Sequence, residues 1–149
     1  MPLEFKIDVN ASPDEVFAYV ADVAKHADWA NPKAGLQIET VSEGAAAVGS
    51  KFRSSQKFVG KKTGAEITIT RYEPSKVFAF EAVQRKKDGT ERYTSTFTFT
   101  PADGGTHVER RIDRDPPMGV MGVIAKPAIK ADAMKALRRL KANVESRSS

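Results

Sequence analysis

Leu3, Phe5, Ile7 and Val9 alternate with Glu4, Lys6, Asp8 and Asn10, a period of two that predicts a strand with one buried and one wet face. Ser12-Pro13-Asp14-Glu15 follows, with serine as cap, proline at the first helical position and glutamate three residues after the serine. That is a capping box, and it predicts a helix start. Val16, Val20 and Val23, with Phe17 and Tyr19 nearby, give this helix an apolar side. Asp22 is read as the cap of a second short helix that carries His26 and Trp29 and ends before Asn31-Pro32, because the residue before a proline avoids helical geometry.

From Gly35 to Asp113 the pattern changes to strands and turns. Leu36, Ile38 and Thr40 share one face of a strand, and Gly44 to Gly49 makes a small-residue loop. Phe52, Ser54, Gln56 and Phe58 share a parity, and Gly60 to Gly64 reads as a turn. Ile67 and Ile69 alternate with Glu66, Thr68 and Thr70 up to Glu73-Pro74-Ser75. Val77–Val83 is a short apolar strand whose inward parity the sequence leaves open, and Lys87-Asp88-Gly89 signals a hairpin. Tyr93, Ser95, Phe97 and Phe99 lie opposite Thr94, Thr96, Thr98 and Thr100, and Asp103-Gly104-Gly105 turns into Val108, Arg110 and Ile112. Six strands with short turns predict an antiparallel meander.

The last third is helical, with Ile129, Ala133, Leu137, Leu140 and Val144 forming one apolar stripe. Pro127 sits inside this pattern and predicts a kink or break, with Met118–Ala125 as a glycine-containing lead-in. The fold class is therefore α+β. Two short helices follow the first strand, and a seven-stranded curved antiparallel sheet wraps around a long C-terminal helix. One helix laid across so broad a sheet need not fill the space beneath it, so a cavity is expected, mostly apolar with a few orienting polar groups.

Composition narrows the classes. At 149 residues the chain is read as one domain over 1–149, able to bury roughly two-thirds of its unfolded surface. The absence of cysteine excludes a disulfide scaffold, a thiolate nucleophile and any cysteine-containing metal site. The longest uncharged stretches, Tyr93–Ala102 and Pro116–Ala125, are ten residues each, about half of a bilayer-spanning helix. Met1–Asn10 carries no apolar signal run, which predicts a cytoplasmic protein, monomeric or a small homo-oligomer. The net charge of +5 equals the excess within residues 126–149, where seven Lys and Arg face two acidic residues. A basic helix of this kind could meet nucleic acid or anionic lipid, although a solvated helix face is the commoner cause.

Several short matches occur together. Ser12-Pro13-Asp14-Glu15-Val16-Phe17, Trp29 soon after, the Val48-Gly49-Ser50-Lys51-Phe52 step and the Tyr72-Glu73-Pro74-Ser75 corner appear in this order. In these features the chain resembles the START-related SRPBCC superfamily, which includes polyketide cyclase/dehydrase-type proteins, lipid-transfer domains and the birch-pollen allergen. The resemblance implies the helix-grip fold and a hydrophobic ligand cavity. It says little about activity, since this fold hosts carriers and enzymes alike.

Arg110 carries the most chemical information. It shares parity with Val108 and Ile112, so a regular strand aims it into the cavity, where a guanidinium needs a carboxylate. That carboxylate belongs either to the protein or to a guest such as a fatty or polyketide acid. Ser54, Gln56, Tyr93 and Ser95 are the other inward polar candidates, and Tyr93 could act as a weak acid if its pKa were lowered. The same groups could equally bond to backbone within a polar-lined core. Phe52, Phe97 and Phe99 lie mid-strand as candidate lining, and Met121 and Met134, with Met118, suit an adaptable rim or plain gap filling. His107 and His26 are both expected at the surface, so no metal site is predicted. No cofactor is called for, as a glycine-rich phosphate loop is missing.

Three readings result. The first is binding or transport of a small hydrophobic ligand, a lipid, fatty acid or polyketide-like molecule that could bear a carboxylate. The second is a cofactor-independent cyclase or dehydratase, in which Arg110 stabilises an enolate-like oxygen, Tyr93 supplies a proton and Glu81 serves as base if Val77, Ala79 and Glu81 point inward. The third is an interaction module that uses the basic C-terminal helix to contact an acidic partner, a membrane or nucleic acid, with peripheral membrane contact favoured over nucleic acid.

Overall fold

The computed structural model describes residues 3–30, 37–44, 46–58, 61–86, 89–115 and 120–148, without the side chains of 56–58, 61–63, 85, 86, 115, 120–126, 128, 129 and 148. Strand β1 spans Leu3–Val9, with Leu3, Phe5 and Val9 buried. Helix α1 spans Pro13–Ala21, and Ser12 caps it by accepting a hydrogen bond from the Glu15 N–H at 3.2 Å. The next turn is 3-10, Val23–Lys25, and runs into α2, His26–Trp29. Asp22 stands at the expected capping position, but its side chain makes no capping bond. Strands β2 (Gln37–Thr40), β3 (Lys51–Phe58), β4 (Lys61–Glu73), β5 (Val77–Lys86), β6 (Gly89–Ala102) and β7 (Gly105–Asp115) precede α3, Val120–Ser148.

The seven strands form one antiparallel sheet in the order β1-β7-β6-β5-β4-β3-β2. Six of them are the expected meander, and β1 adds to its far edge beside β7. The turn expected over Gly60–Gly64 is shorter than the sequence suggested: Phe58 pairs with Lys61, and Lys61–Gly64 already belongs to β4. Pairing with β3 recruits these residues, a non-local gain that local turn propensity does not report. A register shift between Ile69 and Arg71 rephases β4. As a result Tyr72 faces Phe78 and joins the inner face.

Directly paired residues share a face, so the register sorts the sheet. Phe52, Ile67, Ala82 and Tyr93 form one row across the strands, and Ile69, Phe80, Ser95 and Ile112 form the next. Tyr72, Phe78, Phe97, Arg110 and Phe5 form a third. This settles β5: Phe78, Phe80 and Ala82 point inward. Glu81, opposite Thr68 and Thr94, points out, so the condition under which it could serve as base is not met. Burial decides the parity, because Phe78 and Phe80 together hide far more apolar surface than Val77 and Ala79 would.

Helix α3 packs on β1, α1 and α2 with Ala136, Leu137, Leu140 and Val144 buried. Ala133 is half-buried against the same core, while the Ile129 side chain lies outside the described residues. Helix α3 continues through Pro127, so of the expected kink or break the break does not occur. Pro127 is exposed, so the carbonyl its ring frees can turn to water and the helix need not end. Polar ties fix the C-terminal half. The Lys141 ammonium donates to the Asp8 carbonyl at 2.8 Å, and Glu145 accepts from the Asn10 N–H at 2.8 Å. Arg139 donates to the carbonyls of Trp29 and Ala30 at 2.8 and 3.2 Å, which pins α2 to α3.

Candidate functional site

The concave face divides into two halves. One is packed solid. Ile69, Phe78, Phe97, Val108, Leu137 and Leu140 have 0% exposure, and Phe17 sets its ring edge-on to Tyr72, Phe78 and Phe99. Such aromatic pairs add about 0.5–1.5 kcal/mol each beyond their area. The other half keeps accessible surface although it faces inward: Ile38, Ser54, Ala65, Tyr93, Arg110, Ile112 and Met134 are half-buried. Phe52, at 8% exposure, borders it.

Arg110 stands at the boundary. Its Nε donates to Ser95 Oγ at 2.9 Å, and its guanidinium carbon lies 5.0 Å from the Phe97 ring centre and 6.0 Å from that of Trp29. Cation–π contact of this kind is worth more where water is excluded. None of the ion pairs among the described residues includes Arg110. Burial therefore holds the guanidinium below its usual pKa, with Tyr93 acting in the opposite direction.

The inward parity predicted for Phe52, Ser54, Tyr93, Ser95, Phe97 and Arg110 matches the observed rows. Their surroundings differ. Ser95 is fully buried beneath Arg110, and Phe97 is floor rather than accessible lining. Ser54 turns its hydroxyl to the Ala65 carbonyl at 3.5 Å. Tyr93 packs edge-on to Phe80 at 6.1 Å, with Arg114 over its ring at 6.0 Å. Burial pushes its phenol above the usual value, against the pull of Arg110 and Arg114, so the lowered pKa that acid catalysis would need is not found. Met134 packs at the edge of the core. The side chains of Gln56 and Met121, and Met118 altogether, lie outside the described residues.

His26 overturns its expected exposure. It is 4% exposed, and its Nε2 donates to the Val20 carbonyl at 2.7 Å. Its ring sits 5.0 Å from Trp29 and 5.5 Å from Phe80. Burial lowers its pKa to about 4, the Val20 bond opposes this, and Arg110 adds to it. The imidazole is thus neutral, with Nδ1 carrying a lone pair. A sequence signal existed: Val20, Val23 and His26 recur every third residue, and Trp29 continues the series. Trp29 is 1% exposed, and its Nε1–H has no hydrogen-bond partner among the described residues.

His107 lies on the outer face, bonded to Asp8 at 2.7 Å and Glu109 at 3.3 Å. Among the described residues no His, Asp and Glu group gathers to hold a metal, and no helix is long and apolar enough to cross a membrane. A cleft of about 720 Å³ opens at the β2 end, lined by Gln37, Glu39, Arg53, Ser55 and Glu66 of the outward parity and by Ile38, Ser54 and Ala65 of the inward one. Arg110 does not line it, and Ser54 is common to the cleft and to the accessible half of the concave face. Among the described side chains of α3, Arg139 and Lys141 are engaged by the fold and Arg147 covers Tyr19, which leaves Lys130, Lys135 and Arg138 as exposed cations.

The family model described as polyketide cyclase/dehydrase and lipid transport matches residues 3–145. The chain belongs to this family. Membership supports the binding of hydrophobic ligands in general and specifies none. The polyketide cyclase/dehydrase and lipid-transport fold recurs in CV1439 from Chromobacterium violaceum, with TM-score 0.76 and 16% identity over 97% of this chain and 96% of that one. TTHA0849 from Thermus thermophilus gives 0.73 and 17%, covering 100% of both chains. Ara h 8.0201 gives 0.68 and 15%, covering 98% of both. At such identities these likenesses establish the seven-stranded helix-grip fold alone. No curated protein matches the chain.

Proposed function

We propose that this protein is a carrier: one domain over residues 1–149 that binds a small hydrophobic molecule, a lipid, fatty acid or polyketide-like compound, between α3 and the open half of the sheet. The observation that carries this reading is the set of inward-facing residues that stay accessible, Ser54, Tyr93 and Ile112 of the sheet with Met134 of α3. A protein without a guest would gain by closing over them, since apolar burial is worth roughly 25 cal/mol per Å². The proposal takes the cytoplasm as its compartment and a monomer or small homo-oligomer as its working unit.

The cyclase alternative needs an acid, a base and an anion-stabilising group that converge on one open point. Arg110 supplies the last. Against the rest, Glu81 faces outward, the Tyr93 phenol is pushed toward a weaker acid, and the neutral His26 is sealed in the core. The test is denaturing extraction of the purified protein followed by mass spectrometry. A stoichiometric hydrophobic compound is expected. Protein that yields none, and that also fails to bind decan-1-ol and decanoate in calorimetry, would remove the carrier.

A further inference from the structure

Two unpaired donors meet in one aromatic cage. The Trp29 indole N–H is buried with no acceptor among the described residues, and a donor left so costs free energy unless something fills its place. Beside that ring stands Arg110, which is bonded to Ser95 through Nε alone. Among the described residues its Nη1 and Nη2 have no hydrogen-bond partner and its charge has no counter-charge. Phe97 lies beneath the guanidinium, and the neutral His26 ring lies 5.0 Å from Trp29. Every free hydrogen-bonding group of Trp29 and Arg110 donates; what the cage lacks is an acceptor with one negative charge.

We propose that Trp29 and Arg110 form a head-group site for the ionised carboxylate of an amphipathic monoacid, whose apolar body lies along Ser54, Tyr93, Ile112 and Met134. This rests on the carrier reading and deepens it. A carboxylate fits the planar fork of a guanidinium with both oxygens and neutralises a single cation. A dianionic phosphate monoester would leave a net charge in an apolar cage, and a neutral carbonyl would leave the guanidinium uncompensated. The boundary position of Arg110 orients the guest: head against the packed half, body in the accessible half. Ser95 is a positioning residue, because it fixes Nε and leaves the other two nitrogens to the guest.

Decanoate and decan-1-ol share a chain and differ in the head, and Trp29 is the sole tryptophan, so its fluorescence reports the cage directly. Titration of the full-length protein at pH 7.5 should show decanoate binding about ten- to a hundredfold more tightly than the alcohol. In Arg110→Gln the ratio of the two affinities should fall to about one. In Trp29→Phe, read by calorimetry, it should fall about three- to tenfold, a change that a purely structural tryptophan would not produce. The wild-type comparison decides even if Arg110→Gln fails to fold. Equal affinities for acid and alcohol would overturn the head-group site and leave the carrier standing. An acid preference that survives in Arg110→Gln would overturn the assignment to this residue, and no binding of either probe would remove carrier and site together.

Discussion

His26 makes the interior sensitive to acid in a way that can be calculated. Its pKa is about 4 in the folded protein against 6.5 for a free imidazole, with burial as the largest cause. Between these values the unfolded chain binds a proton that the folded one refuses, so stability is complete above pH 6.5 and is lost as pH falls toward 4. Lowering pH from 7.5 to 5 should cost about 2 kcal/mol from this residue alone. In urea that moves the unfolding midpoint by about 1 M, since a chain of this size loses roughly 1–3 kcal/mol per molar urea. His107 acts with the opposite sign. Asp8 and Glu109 raise its pKa, so its contribution is present below pH 6.5 and is lost as pH rises through its folded value. Measurements in a His107→Gln background remove that term. The assay is urea unfolding at pH 7.5 and 5 for this protein and for it with His26→Phe added. The phenylalanine variant should lose the pH dependence by about 2 kcal/mol. A slope that persists in the variant would show that protonation elsewhere drives acid unfolding, and the buried neutral imidazole would be discarded.

Three further outcomes are expected. Arg139→Gln removes the guanidinium that holds the Trp29 and Ala30 carbonyls and should destabilise by about 2 kcal/mol, with a matching fall in decanoate affinity as α2 loosens; a calorimetric melt equal to wild type would sink this. A Cβ on Gly105 would collide with the Val9 carbonyl, so Gly105→Ala should cost about 2 kcal/mol or more by forcing β1 from β7; chemical denaturation checks it, and a loss below about 0.5 kcal/mol would contradict the packing. Glu81→Gln should change neither the melting temperature nor decanoate affinity beyond error, since the side chain is outside the sheet; a clear loss of binding would reopen the inward parity.

The fold was legible where the pattern is periodic. The alternation around Val108, Arg110 and Ile112 put Arg110 inside, and the register agrees. The capping box at Ser12 places the start of α1 to the residue. Legibility failed where the deciding interaction is non-local. Lys61–Gly64 looks like a turn, yet β3 recruits it, and nothing in Thr70 or its neighbours announces the register shift that brings Tyr72 inward. The three-residue recurrence of Val20, Val23, His26 and Trp29 hints at an inward His26, but it crosses three short elements and names no partner. The burial of His26 comes from the Val20 carbonyl and the ring of Phe80, which lies 54 positions further along the chain. The orphaned Trp29 N–H is equally invisible in sequence, since an absent partner is a property of packing alone.

The two halves of the concave face follow from an unequal distribution of helices. Helix α1 lies over β5, β6 and β7, and with Leu137, Leu140 and Val144 of α3 it seals the rows around Phe78, Phe97 and Val108. The rows of Ser54 and Tyr93 have no second described helix of comparable length above them. A charge placed deep in the sealed half would be intolerable, and one in the open half would be weakened by water. Arg110 occupies the line between the two, with Phe97 and Trp29 behind it and accessible surface in front. There the aromatic wall strengthens its attraction for an anion while the open side lets the anion enter. The same wall withholds any protein carboxylate from the described cage, so the cation that the fold tolerates is the one a ligand can complete.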